Sequence, residues 1–221
     1  MLPFFAEAQQ MTVNKFILPD GKQITPDKLD SVKKAWNGER IVFQHNDEDD
    51  KAHVMRLVKM SPEMTKEFDE KAKTAQLAIQ SMTGETAPDF ELTDLNGKIW
   101  TLSSLKGKVV ILNFWFTSCP PCIQEMPKLN DLVNKYRNKD VVFLGLTFND
   151  RSKVNEFLKE HKFHYNLLLS SQKVDKMYQI NSWPTNFVIG RDGKVKMATY
   201  FDEHIFSTLS GWIDRALLEK I

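Results

Sequence analysis

Three stretches of this 221-residue chain point to an α/β protein with a mixed central sheet flanked by helices. Val109–Phe116 and Val141–Phe148 are continuous apolar runs, the pattern of strands buried on both faces, and each precedes a segment with helical spacing. Asn186–Ile189 and Lys194–Tyr200 then read as a hairpin about Arg191-Asp192-Gly193, followed by a closing helix. Strands linked through helices run parallel and a hairpin runs antiparallel, so one sheet must hold both kinds of pairing.

The elements follow in order. Ala6-Glu7-Ala8 matches the small-x-small site of signal peptidase, and Leu2–Phe5 fits the end of an apolar region. Residues 1–8 are therefore read as a signal-peptide remnant, with the mature chain starting near Gln9. Residues 9–83 read as an N-terminal α+β extension. Phe16–Leu18 and Gln23–Thr25 make a hairpin about Pro19-Asp20-Gly21-Lys22. Thr25 then caps a helix with Pro26 at its first position, Leu29, Val32 and Trp36 on one face, and Gly38 at its end. Ile41–Phe43 and Val54–Val58 are two strands joined by a charged hairpin tip that runs from His45 to Lys51. The spacing of His45, Asp47, Glu48, Asp49, Asp50 and His53 matches no calcium loop, so no metal site is read there. A long helix from Ser61-Pro62-Glu63 to about Met82 places Met64, Phe68, Ala72, Ala75, Ile79 and Met82 at helical spacing. Thr83-Gly84 stops it, and a second domain spans 84–221.

That domain opens with a hairpin, Phe90–Leu92 and Ile99–Leu102, turning at Asn96-Gly97. The helix after the first long strand sets Ile123, Met126, Leu129, Val133 and Tyr136 inward. Ser152–His161 is a second helix, Leu167–Leu169 a short strand, and Val174–Gln179 a short helix. The closing helix, about Asp202–Lys220, carries Ile205, Leu209, Trp212, Ile213 and Leu217 on one stripe.

With 42% hydrophobic and 27% charged residues the composition is that of an ordinary globular protein. Thirty Lys and Arg against 29 Asp and Glu leave a net charge of +1, which gives no reason to invoke nucleic acid. No apolar run approaches the roughly 20 residues that span a bilayer.

The only two cysteines lie in one tetrapeptide, Cys119-Pro120-Pro121-Cys122, so neither is spent on a structural disulfide elsewhere. No histidine lies between Trp100 and His161, so nothing nearby completes a zinc site with them. Cys119 stands where a strand gives way to a helix, and a helix N-terminus stabilises a thiolate. It is the expected nucleophile. The two prolines suit the first helical turn but have no N–H to give the thiolate. Cys122 lies one turn on, about 5–6 Å away between Cβ atoms before bonding, within reach of a disulfide. Glu125 follows on the same helical face and is placed to accept the proton of Cys122. Burial would raise its pKa toward neutrality. Pro184 ends a loop before a central strand. If its peptide bond is cis, the backbone of Trp183 is set beside the cysteines, ready to pair with an extended substrate. Trp115, Phe116 and Trp183 either frame an apolar docking surface or pack in the core.

Asn113-Phe114-Trp115-Phe116-Thr117-Ser118-Cys119-Pro120-Pro121-Cys122, then Glu125-Met126-Pro127, resembles thioredoxin-like proteins of the TlpA/ResA type. Ala87-Pro88-Asp89-Phe90, Leu105-Lys106-Gly107-Lys108 and Trp183-Pro184-Thr185 carry the same likeness over residues 84–221. The resemblance implies a thioredoxin-like fold and an extracytoplasmic thiol–disulfide oxidoreductase of the cell envelope, with cytochrome c-type biogenesis among its roles; otherwise the protein would be cytoplasmic. It implies that Cys119 is the nucleophile, Cys122 the resolving thiol, Glu125 the active-site acid and Pro184 the cis-proline. Trp183, Thr185 and Ser118 then belong to the substrate-facing surface. Partners are disulfide-containing proteins and a membrane or exported thiol donor, with no cofactor. Thioredoxins proper have a buried Asp where this chain has Asn113, which passes proton transfer to Glu125. Ser118 stands where a tryptophan is common. Two other readings use the same thiols: a peroxiredoxin-like peroxidase, against which Phe116 stands in place of the threonine three residues before the cysteine, and a module holding Cu(I) or a haem-related partner.

Overall fold

The structure is a computed structural model describing residues 15–219 apart from Gly38. The signal-peptide-like segment 1–8 and the Gly38 helix stop therefore lie outside the described residues. The chain forms two compact units, one ending at Lys71 and the other beginning at Ala72.

In the first unit β1 (Lys15–Ile17) and β2 (Gln23–Ile24) form the expected hairpin. Gly21 sits in the turn at φ 81°, a conformation that a Cβ disfavours. The following helix starts as a 3-10 turn, Pro26–Lys28, in which the Thr25 hydroxyl donates to Asp27, and becomes α-helical only at α1 (Leu29–Ala35). β3 (Ile41–Gln44) pairs antiparallel with β4 (Val54–Lys59), and β4 runs parallel to β1, giving the order β2-β1-β4-β3. Phe16 and Leu57 are its buried apolar side chains.

The segment expected to be a hairpin tip instead holds a short helix, α2 (Asp47–Ala52). Asn46 is the reason. Its Oδ1 accepts the N–H groups of Glu48 and Asp49, at 3.0 and 2.9 Å, as an N-cap does. The turn so formed buries the Asp49 carboxylate, which accepts a two-pronged bond from Arg56, Nε at 2.9 Å and Nη2 at 2.8 Å.

α3 (Pro62–Gln80) starts at Ser61, whose Oγ accepts the Met64 N–H at 3.2 Å, and runs on into the second unit. Of its predicted stripe, Ile79 and Met82 are buried, whereas Met64 and Phe68 are exposed. A hairpin of β5 (Glu91–Thr93) and β6 (Ile99–Thr101) and a 3-10 turn, Leu102–Leu105, follow. Then come β7 (Val109–Trp115), α4 (Pro120–Lys135), β8 (Val141–Thr147), α5 (Arg151–Glu160), β9 (Asn166–Leu168), α6 (Gln172–Met177), β10 (Thr185–Ile189), β11 (Val195–Tyr200) and α7 (Ile205–Leu218). The sheet order is β11-β10-β7-β8-β9, with β7, β8 and β9 parallel and the β10–β11 hairpin joined antiparallel to them through β10. The structure thus has the mixed sheet that the chain pattern implied, in the thioredoxin-like form that the resemblance implied.

All seven residues of β7 are buried, and they alternate between two cores. Val109, Ile111 and Trp115 join the inner faces of α4, α5 and α7. Val110, Leu112 and Phe114 face the other way, with α6, Phe90, Leu102 and the end of α3. This period of two places Asn113 on the α4 side of the sheet.

Candidate active site

α4 begins directly beyond the carboxyl end of β7. Cys119 is its N-cap residue, and Cys119 and Cys122 are joined as a disulfide with a Cα–Cα distance of 5.3 Å. Pro120 and Pro121 fill the first turn, so the first N–H that α4 can offer belongs to Cys122. It points at Cys119 Sγ, 3.2 Å away. That bond and the helix N-terminus both favour negative charge on Cys119 over Cys122. Both cysteines are 2% exposed in this oxidised state.

The inner face of α4 also carries Glu125, one turn beyond Cys122 and 1% exposed. Its Oε1 accepts the backbone N–H of Asp202 at 2.9 Å and its Oε2 accepts Asn186 Nδ2 at 3.1 Å. Burial pushes its carboxyl up to about 7. The two donors and the Lys128 ammonium oppose that rise, and the nearby Asp202 charge adds to it. Tyr165, fully within the α4-side core, has a hydroxyl with no hydrogen-bond partner, and burial followed by the Glu125 charge keeps it protonated.

The Trp183–Pro184 peptide bond is cis. Pro184 is buried, and Thr185 opens β10 opposite Phe114 at the end of β7, which brings the 183–185 segment beside the start of the cysteine loop. The Thr185 hydroxyl donates to the Ser182 carbonyl at 2.6 Å. Half-buried Trp183 packs edge-on against Phe116 (5.7 Å between ring centres) and Phe148 (5.8 Å), and these two rings stack at 5.5 Å. Ser118 is half-buried next to Cys119.

Trp115 does not belong to this surface. It is 0% exposed, packed against Phe157 and edge-on to Phe163, so of its two expected roles the structure gives it core packing. The period of two explains this: Trp115 turns under α4, and Phe116 lies just beyond the strand. Gly145 makes room for the indole, since a Cβ there would lie 3.2 Å from Trp115 Nε1.

Several residues at the site escaped the sequence reading. Asn186 and Asp202 reach Glu125 from 61 and 77 positions away, and no local pattern marks them. Asn149 Oδ1 accepts the Thr117 N–H at 2.8 Å and Thr147 Oγ1–H at 3.1 Å, bracing the loop that carries Ser118 and Cys119. In the sequence Phe148 is no more than the end of an apolar run. Among the described residues no three His, Cys, Asp or Glu side chains gather as metal ligands, and no helix is long and apolar enough to cross a membrane.

Comparison with known proteins agrees with this geometry. A family model described as the AhpC/TSA family matches residues 83–198. A thiol-disulfide oxidoreductase ResA of Bacillus cereus is 37% identical over 134 residues, 60% of this chain and 77% of that protein. The thioredoxin-like protein YneN of Bacillus subtilis (strain 168) is 34% identical over 116 residues, 51% of this chain and 68% of that protein. Among solved structures, the thioredoxin domain of a thiol-disulfide oxidoreductase from Bacteroides vulgatus superposes with a TM-score of 0.55 at 25% identity, covering 59% of this chain and 97% of that one. The chain therefore belongs to the AhpC/TSA family and, within the thioredoxin superfamily, is a disulfide oxidoreductase of the ResA/TlpA type.

Proposed function

We propose that the protein reduces disulfides of exported proteins through the Cys119/Cys122 dithiol, outside the cytoplasm. The Cys119 thiolate attacks one sulfur of a substrate disulfide and expels the other as a thiolate, leaving a mixed disulfide. Cys122 gives its proton to Glu125 and attacks Cys119 Sγ, releasing the second substrate thiol and closing Cys119–Cys122. Two electrons pass from the dithiol to the substrate, and a membrane or exported thiol donor returns them. Half-buried Trp183 and Ser118, with the rings of Phe116 and Phe148, form the surface on which an extended substrate segment lies, and Pro184 and Thr185, buried behind Trp183, fix its backbone there. The expected 9–83 extension acts as a separate unit only as far as Lys71, since the end of α3, with Ile79, belongs to the catalytic unit.

The observation that carries this reading is the placing of the two thiols on α4. The only early N–H of the helix points at Cys119 Sγ, and a buried carboxyl that titrates near neutrality shares a helical face with Cys122. Trapping tests it. Cys122→Ser, offered a disulfide-bonded protein substrate, should accumulate a one-to-one adduct through Cys119 that dithiothreitol releases. Cys119→Ser should form none. An adduct through Cys122 in place of Cys119 reverses the assignment, and hydrogen peroxide turnover without thiol exchange would favour the peroxidase reading.

A further inference from the structure

On the α4 side of the sheet, β7 and β10 carry a polar pair. On β7 and β10 the side chains turned that way are Val109, Ile111, Asn113, Trp115, Asn186 and Val188, and the two asparagines face each other directly in register. They are 2% and 0% exposed. Burying a primary amide without a partner is costly, so two in an apolar layer need a reason. Their bonds supply one, because they run in a single direction. Asn113 Nδ2 donates to Asn186 Oδ1 at 2.9 Å, and Asn186 Nδ2 donates to Glu125 Oε2 at 3.1 Å. With its oxygen engaged by Asn113, Asn186 can offer Glu125 only an N–H.

We propose that Asn186, oriented by Asn113, is the positioning residue for Glu125: it holds the carboxylate on the Cys122 side of α4 and supplies the donor that favours its ionised form. The proposal rests on the reading that Glu125 serves the dithiol. The other groups facing Glu125 are the Asp202 N–H, which donates to the opposite oxygen, the Asp202 carboxylate, which disfavours ionisation, the Lys128 ammonium, which favours it, and the neutral Tyr165. Asn186 is thus one of two direct donors to the carboxylate and the only one from a side chain among the described residues.

The test follows the Glu125 carboxyl carbon by carbon-13 NMR through a pH titration of the full-length oxidised protein. Asn186→Leu removes the donor and should raise the midpoint by about one pH unit, the size of one hydrogen bond to a charged group. Asn113→Ala frees the Asn186 amide to turn, and should shift the midpoint the same way by less. It also serves if Asn186→Leu does not fold. A purely structural role for the pair would lower the melting temperature and leave the midpoint in place, and that result in a folded variant overturns the proposal. Alkylation of Cys122 in the reduced protein separates the two readings. If the Glu125 midpoint moves and the Cys122 pH profile does not, Asn186 positions Glu125 as stated, and the link from Glu125 to the dithiol is what fails.

Discussion

Asp94, in the β5–β6 turn, and Glu125, on α4, are two carboxylates of the same unit that solvent scarcely touches, at 3% and 1% exposure, Glu125 lying much the deeper. Burial is the largest single influence on each, and it raises both. Asp94 nevertheless ends below the ordinary carboxylate range. It accepts Trp100 Nε1 at 2.9 Å and the N–H groups of Lys98 and Asn96 at 3.0 and 2.7 Å, with the Lys98 charge beside it, and together these outweigh burial. Glu125 has one donor on each oxygen and a neighbouring acid, and it ends near 7. The difference separates a carboxylate that holds a turn from one able to exchange a proton at neutral pH. Depth and donors act together: Asp94 lies in a turn near the surface with three donors and the Lys98 charge, whereas Glu125 lies deeper with two donors and a neighbouring acid.

The largest break in this comparison should come from Trp115. Its ring packs edge-on to Phe163, which stacks on Tyr165, and Tyr165 feels the Glu125 charge. Trp115→Ala should cost about 3–5 kcal/mol by denaturant unfolding and should lower the Glu125 midpoint as water enters beneath α4.

Glu125 and Asp94 should also impose opposite pH dependences on stability. A carboxyl raised on folding is neutral in both states below its unfolded pKa, near 4.5, and contributes a destabilisation that grows as pH rises to about 7. That difference amounts to about 3 kcal/mol between pH 4.5 and 8, and Glu125→Gln should flatten it. A depressed carboxyl such as Asp94 adds stability above its unfolded pKa and loses it as pH falls through the folded value. Asp94→Asn sets an amide donor against donors and should cost about 2 kcal/mol at pH 7, with the pH profile of disulfide reduction unchanged.

The sequence carried the frame of this site because the frame is local. A buried strand, a CXXC at a helix start and a glutamate one turn later all fall within residues 109–125. What it hid depends on distant contacts or on which way a side chain turns. Trp115 and Phe116 are neighbours in an unbroken apolar run, and only the strand's end tells the buried ring from the surface one. Asn113 could be seen as a departure from thioredoxin, but its partner lies 73 positions away and is fixed only by the β7–β10 register. The acidic stretch after Asn46 has no apolar period from which a helix could be read, and its cap bond, once formed, makes one.

The smallest effect sharpens the contrast between the two tryptophans. Trp183 is half-buried on the surface that Trp115 does not reach, so Trp183→Ala should raise KM for a protein disulfide about tenfold with little change in kcat or stability.

The reduction potential of the Cys119–Cys122 pair tests the central claim most directly, by equilibration in graded thiol buffers and counting of trapped thiols. A reversible two-electron couple at or below about −250 mV is predicted for a reductase supplied by a dedicated donor. A value near about −120 mV would contradict it, since the same pair would then give its disulfide to substrates instead of reducing theirs.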